Sequence, residues 1–502
     1  MVRLRFPRLA YNKVSFAGAI IAGIVAALIV VLLGVHAFQE SWNPYLGIFV
    51  YMVLPPILVL GLVLIPIGMI RQKRIIKKTG SAPVPQWPYI DLNLRTHRNA
   101  FFVFLFGTIA FALIGAIGGY QAYHYTESVT FCGKTCHGIM KPEHTAYQNS
   151  PHARVACTEC HVGSGAGWYA KSKLSGLYQV YATIRDIYPR PIPTPIESLR
   201  PAQETCEQCH WPAKFFGNQL RRFDHYMYDD ENTHWPVNML VKTGGGEPKL
   251  TETGGIHWHM NISVKIDYIA RDERRQDIPW VRITKPDGTS VVYQDSDKPL
   301  SEEEIRTAAI RRMDCVDCHN RPSHKYNSPD YLTDRAIVTG QIDPALLGIK
   351  RAAVEALSGE YGTEEAAVAA IAEKIAGFYR EEHPEILESN RAALDRAISA
   401  AQEYYAQNMF PEMKVRWDRY PENIGHFINP GCMRCHDGEH LSDAGKVISR
   451  ECTSCHVIMM QGGGERAQMA ETLDGLAFVH PEDIGEEWRE TECYECHTGT
   501  QP

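Results

Sequence analysis

Three long apolar runs occupy the first quarter of the chain, and beyond them the alternation of polar and apolar positions becomes short-ranged. The runs are Phe16 to Phe38, Tyr45 to Ile70 and Ala100 to Tyr120, each long enough to cross a hydrocarbon core of about 30 Å as a helix. The first is too long for a cleaved leader and two more follow it, so it reads as a retained helix. Pro55, Pro56 and Pro66 interrupt the second run, which predicts a kink there. Arg3, Arg5, Arg8 and Lys13 precede the first run, and Arg71, Lys73, Arg74, Lys77, Lys78, Arg95 and Arg98 lie between the second and third. Basic flanks stay in the cytoplasm, so three spans place everything after about His124 on the outer side.

Regular structure in the remainder is sparse. Trp280 to Ile283 and Ser290 to Tyr293 flank Lys285-Pro286-Asp287-Gly288, which reads as a small β-hairpin. Val368, Ile371, Ala372, Ile375, Phe378 and Tyr379 recur at helical spacing after a Thr363 cap, His383-Pro384 breaks the pattern, and a second helix is expected from about Glu385 to Gln407. The expected fold is mainly α and coil: three transmembrane helices followed by a domain outside the membrane with that hairpin and a helical hairpin.

Cysteine changes this picture most. The 14 Cys form seven close pairs, each followed by His: Cys157/Cys160/His161, Cys206/Cys209/His210, Cys315/Cys318/His319, Cys432/Cys435/His436, Cys452/Cys455/His456 and Cys493/Cys496/His497, with Cys132/Cys136/His137 one residue longer. At this chain's own Cys and His frequencies, about 0.02 matches to the six-fold C-x-x-C-H pattern would arise by chance. Two thiols one helical turn apart reach the two vinyl groups on one porphyrin edge, and the next residue lies under the iron. Disulfides would not require the His, and zinc would join motifs in pairs. The pattern therefore calls for seven covalently attached c-type haems, on the side of the membrane that the charge pattern selects independently. A net charge of -7 argues against a nucleic-acid partner.

Sixth ligands must come from elsewhere in the chain. Of 21 His, the seven in motifs and His36, His97 and His124 near the spans leave eleven: His144, His152, His225, His234, His257, His259, His324, His383, His426, His440 and His480. His152, His426 and His480 precede motifs, His324 and His440 follow them, and His257 and His259 would point to opposite faces of an extended segment. Met140 is a further candidate, for the first iron.

Residues Phe131 to Met140 (FCGKTCHGIM) and Ser150 to His161 (SPHARVACTECH) resemble the NapC/NirT family of membrane-anchored quinol dehydrogenases. Members usually have one span and four or five haems. This chain is more similar to the heptahaem inner-membrane cytochromes of the ImcH type, which Tyr420 to His426 (YPENIGH) and Pro430 to Gly438 (PGCMRCHDG) also suggest. It departs from the family in the extra residue of its first motif and in Met140, one position later than the family's ligating Met.

The resemblance divides the chain into a membrane anchor at 1–125, a three-haem NapC/NirT-like region at 126–215, a β-containing region with the fourth haem at 216–340, a haem-free helical region at 341–415 and a C-terminal three-haem region at 416–502. It implies a quinol pocket near the first haem, with Lys171, Lys173 and Glu143 as its candidate residues. The implied activity is oxidation of (mena)quinol at the periplasmic face of a bacterial inner membrane, with electrons relayed to periplasmic or outer-membrane carriers. Two other readings stand beside it: an electron-transfer subunit of a larger respiratory complex, and a terminal reductase of a small oxyanion. Catalytic haems of such reductases often carry Lys in place of the motif His, and none of the seven motifs does.

Overall fold

The computed structural model describes residues 8–37, 54–80, 91–135, 137–163, 165–196, 200–211, 215, 217–244, 255–260 and 264–501. They form two compact units, Met1–Ser128 with Val162–Val180, and Val129–His161 with Tyr181–Pro502.

In the first unit α1 spans Lys13–Ala37 and α2 spans Leu54–Thr79. Asn12 starts α1: its Oδ1 accepts from the backbone N–H groups of Val14 (3.1 Å) and Ser15 (2.9 Å), satisfying donors that the first turn leaves open. The two helices meet along small residues. A Cβ on Gly18 would stand 2.6 Å from Gly61 O, one on Gly61 2.8 Å from Ala22 N, and one on Gly68 2.3 Å from Ser15 Oγ, the close backbone approach by which apolar helices associate in lipid. The Ser15 hydroxyl also donates to Ile65 O at 2.8 Å. Pro55 and Pro56 sit in the first turn of α2, where no intrahelical N–H is needed, so only Pro66 lies inside the helix. The start of the expected second span, Tyr45 to Val53, lies outside the described residues.

The third expected span is continuous helix, α3 (Arg95–Thr126). Among the described residues, however, two helices and not three have the length and apolarity of a membrane span, Lys13–Val30 and Leu54–Thr79. The reason is that the apolar middle of α3 falls largely on residues whose side chains are not described, while its first turn carries Arg95, His97 and Arg98.

After α4 (His137–Gln148) and α5 (Ala166–Ile184), the second unit contains far more strand than one hairpin. In chain order the strands are β1 (Gln219–Tyr226), β2 (His234–Val241), β3 (Lys265–Ile269), β4 (Trp280–Thr284), β5 (Ser290–Asp295), β6 (Arg311–Arg312), β7 (His440–Ser442), β8 (His456–Gln461) and β9 (Gln468–Met469). They build two sheets, β1-β2-β8-β9 and β6-β3-β4-β5-β7. The predicted hairpin is β4–β5, with Ile283 opposite Val291 and Gly288 at φ +83° in its turn, where only glycine sits without strain. Sequence alone understated the sheets because the partners are remote: β8 begins at His456 and pairs with Val241, and β7 adds to β5 at Asp295 and His440.

The helical region is α6 (Pro329–Val338), α7 (Ile349–Ser358), α8 (Glu364–Glu382), α9 (Pro384–Ser389) and α10 (Arg391–Asn408). The Thr363 side chain accepts from Ala366 N (3.2 Å), and the chain breaks at His383. Ile371, Ile375 and Tyr379 of α8 pack with Leu394 and Ala397 of α10 and with Ile349 and Leu357 of α7 in one buried core. The expected helical hairpin thus lies within a five-helix bundle.

Candidate haem sites

Each described motif is a single tight turn. The backbone N–H of the motif His closes it on the carbonyl of the first Cys: His210 on Cys206 (2.8 Å), His319 on Cys315 (2.8 Å), His436 on Cys432 (3.1 Å) and His497 on Cys493 (2.8 Å). That bond puts the two thiols one turn apart and the imidazole next in line. At the fourth motif the turn is fixed further by a reciprocal cap: Asp314 Oδ1 accepts from Val316 N (3.0 Å) and Asp317 Oδ2 from Asp314 N (2.8 Å).

The motif cysteines do not share one environment. Most of those described are half-buried, and Cys209, Cys452 and Cys496 are exposed. The reason lies in the turns that carry them. Cys209 ends the 3-10 turn Cys206–Gln208, with its backbone N–H on Cys206 O at 3.1 Å, and exposed His210 and Trp211 follow it. Cys452 opens the turn Cys452–Ser454 directly after exposed Glu451, and Cys496 closes Cys493–Cys496 beside exposed Glu495.

Six motif histidines each face a second histidine. The ring centroids are 6.2 Å apart for His161 and His324, 6.1 Å for His210 and His152, 6.3 Å for His319 and His257, 5.9 Å for His436 and His259, 6.2 Å for His456 and His426, and 6.1 Å for His497 and His480. Two metal–imidazole bonds of about 2 Å, with about 1.1 Å from each nitrogen to its ring centre, span about 6.2 Å. The spacing is therefore that expected of two imidazoles either side of one ion.

The second histidines are held by their far nitrogens. His480 Nδ1 lies between Glu482 O (2.9 Å) and the Glu482 N–H (3.3 Å), whereas Nδ1 of His152, His257, His259 and His324 donates to the carbonyls of Pro322 (3.1 Å), Thr243 (2.7 Å), Ile256 (2.8 Å) and Glu143 (3.0 Å). This fixes the tautomer that leaves Nε2 with a free lone pair. Burial holds His161, His259, His319, His324, His426 and His456 below the ordinary imidazole pKa, which keeps them in the neutral form a metal needs.

His257 and His259 share one 3-10 turn, Ile256–Met260, rather than an extended segment, and serve two different motifs. Cys136 and the side chain of His137 lie outside the described residues. Met140 is half-buried on α4, three residues beyond His137 and so on the same helical side.

His440 departs from expectation. It is 2% exposed, its Nδ1 lies 2.9 Å from an Asp437 carboxylate oxygen and its Nε2 lies 2.7 Å from Ile278 O. Both neighbours are acceptors, so both nitrogens donate, and none is left for a metal. Asp437, despite burial, raises the His440 pKa above its ordinary value. A raised pKa for a cation contributes stability that is complete below about pH 6.5 and lost as pH rises through the folded-state value. Hydrogen exchange at Leu441 and Ser442, corrected for intrinsic rates, should accelerate between pH 6 and 9 in the wild type, and Asp437→Asn should move that onset to lower pH. A flat profile would mean that His440 is neutral.

The expected pocket residues separate. Glu143 is half-buried on α4, with its carboxylate 3.2 Å from His324 Nδ1 and 3.6 Å from Arg321 Nη2. Lys171 and Lys173 lie two positions apart on α5 and face different sides: Lys171 stands 5.1 Å from the Trp168 ring centre, whereas Lys173 is paired with Glu127 at 2.5 Å.

Contacts that no local pattern announces join successive motifs. Cys132 lies within hydrogen-bonding reach of Cys157, and Cys206 of Cys315. Cys160 with Cys209, Cys318 with Cys432, Cys432 with Cys455 and Cys452 with Cys493 are close enough to interact electrostatically. Arg434 in the fifth motif donates to the carbonyl of Asp317 in the fourth (2.9 Å), His436 Nδ1 donates to Ser449 O before the sixth (2.8 Å), and Arg450 pairs with Glu492 before the seventh (2.9 Å).

Comparison with known proteins agrees with this geometry. Residues 94–191 match the model for the NapC/NirT cytochrome c family, N-terminal region. Across 487 residues, 97% of this chain and 95% of the relative, the sequence is 45% identical to the cytochrome c-type protein ImcH of Geobacter sulfurreducens. The chain belongs to the NapC/NirT cytochrome c family. No solved structure matches it. As a family member with two apolar helices it is a membrane-anchored, multihaem electron-transfer protein of the inner membrane carrying covalent haem c. The paired imidazoles, each beside two cysteines one turn apart, fit that cofactor.

Proposed function

We propose that this cytochrome carries seven haems and oxidises menaquinol or a similar quinol at the periplasmic face, passing electrons to periplasmic or outer-membrane carriers. The observation that carries the proposal is the set of six imidazole pairs at 5.9 to 6.3 Å. Bound haem supplies a one-electron Fe(III)/Fe(II) couple. The motif cysteines attach it, including Cys132 with Cys136, Cys209 with Cys206, Cys455 with Cys452 and Cys496 with Cys493. His137, His161, His210, His319, His436, His456 and His497 ligate one side. His324, His152, His257, His259, His426 and His480 close the other side at the second to seventh motifs, leaving no exchangeable position there, which favours electron transfer over oxyanion reduction. Met140 is the candidate at the first.

The proximity of successive motifs, through Cys132 and Cys157, Cys206 and Cys315, Arg434 and Asp317, and Arg450 and Glu492, supports a route that follows sequence order. Orientation needs α3 to cross the membrane as well: with the N-terminus cytoplasmic, an odd number of spans puts the motifs on the periplasmic side, where haem is attached. On α5 the exposed Leu174, Leu177, Tyr178, Tyr181 and Ile184 recur at helical spacing, an apolar face suited to the membrane surface where quinol resides.

The test is anaerobic stopped-flow absorbance of the oxidised protein mixed with a menaquinol analogue, beside a Lys171→Ala/Lys173→Ala double variant. Fast haem reduction is expected, slowed about tenfold in the variant if one charge-assisted hydrogen bond to quinol, about 1.5 kcal/mol, is lost. Haems that stay oxidised with quinol, but fill with dithionite, would instead place electron entry at a protein partner.

A further inference from the structure

Among the described imidazole pairs, that of His161 and His324 stands apart in having a carboxylate at its far nitrogen. The other second histidines with a described Nδ1 partner meet backbone groups alone. His324 Nδ1 meets the Glu143 carbonyl at 3.0 Å and, in addition, the Glu143 Oε2 at 3.2 Å. That oxygen is buried, and its polar neighbours are His324, Arg321 and the Tyr326 side chain. Facing it is Arg321, 8% exposed, with Nη2 at 3.6 Å and Nε donating to His324 O at 2.7 Å. The guanidinium is fixed over the rings of Tyr420 (4.4 Å) and Tyr326 (5.1 Å). Burial, followed by the Glu143 charge, pushes the Tyr420 phenol up to about 12 and raises Tyr326 as well.

We propose that Glu143 and Arg321 are positioning residues that set the redox potential of the second haem, Glu143 lowering it and Arg321 raising it. The proposal rests on His161 and His324 being that haem's two ligands. A carboxylate at Nδ1–H makes the imidazole a stronger donor and stabilises the ferric state, which carries one more positive charge than the ferrous. Burial keeps solvent from screening the effect. The guanidinium acts on the same iron with the opposite sign. Because Glu143 belongs to α4, the helix that begins at His137, the element that continues from the first motif also tunes the second.

Spectroelectrochemical titration of the intact protein in detergent reads this directly. In Glu143→Gln, which keeps the shape and the backbone carbonyl contact, one haem of seven should become easier to reduce. Its oxidised-to-reduced ratio at a fixed potential should fall about tenfold, or about 59 mV for one electron. In Arg321→Gln one haem should shift in the opposite direction. A loss of packing would not reverse sign between the two, and if one variant fails to accumulate, the other still decides. His324→Ala separates the two layers of the argument: a new high-spin ferric signal confirms His324 as a ligand, and its absence overturns both the ligand assignment and this proposal. If that signal appears while both charge variants leave all midpoints in place, the ligand assignment stands and the tuning role is overturned.

Discussion

Replacing Cys315 and Cys318 with alanine, so that the fourth haem is not attached, should divide the reduction of the remaining six haems into a rapid half and a slow half. The fourth motif lies between two sets of contacts. On one side Cys315 is within reach of Cys206 of the third motif. On the other, Asp317 O accepts from Arg434 Nη2 of the fifth (2.9 Å) and from Asn423 Nδ2 (2.9 Å), and Arg434 Nη1 donates to Arg275 O (2.8 Å). Across the same pair, the turn Ile256–Met260 gives His257 to His319 and His259 to His436. The fourth and fifth sites are thus clamped from both the motif side and the opposite side. With the fourth removed, quinol should reduce the first three haems at the wild-type rate and the last three far more slowly, while dithionite reduces all six. A single phase for all six would show that electrons bypass the fourth site, and a wild type that quinol does not reduce would refute the quinol reading without bearing on the order.

Lys350→Met should cost about 3–5 kcal/mol of stability in the helical region, the usual penalty for stranding buried charge. Lys350 is fully buried, and its Nζ lies 2.5 Å from Asp334 Oδ1, 2.6 Å from Asp330 Oδ1 and 2.9 Å from Asp330 O. Burial pushes Asp334 up to about 8 even though Lys350 pulls it down. A raised carboxyl pKa contributes stability that is complete below the unfolded value, about 3.9, and lost as pH rises through about 8. The variant's deficit should therefore be larger at pH 7 than at pH 5, where protons replace the missing cation. Hydrogen exchange of α6 and α7 measures it, and a Lys350→Met/Asp330→Leu/Asp334→Leu combination should recover most of the loss, since apolar residues often replace a buried ion cluster without penalty. An equal deficit at both pH values would contradict the electrostatic account. The same site shows why a buried acidic and histidine cluster need not hold a metal: His225, Asp330 and Asp334 approach one another, but the Lys350 ammonium already pairs with both carboxylates.

What the sequence determined by itself is what short-range chemistry demands. Two thioether bonds and one ligand from the same turn require Cys, Cys and His within a few residues, so the motifs are legible in a single line of text. The hydrocarbon thickness likewise fixes the length of α1 and α2, and the Thr363 cap and the His383 break announced the helices on either side. The pairing of histidines was hidden, because His324 reaches His161 and His257 reaches His319 only after the intervening chain has folded. Seven His candidates had been marked by their neighbourhood. Tertiary structure brought six of them to motif histidines and turned His440 inward between Asp437 and Ile278 O, since only folded geometry decides which atoms face a nitrogen. The two sheets depended on strands from opposite ends of the second unit, and Glu143, which the family pattern suggested for a quinol pocket, was committed to His324 and Arg321 by a packing contact that its own helix could not reveal.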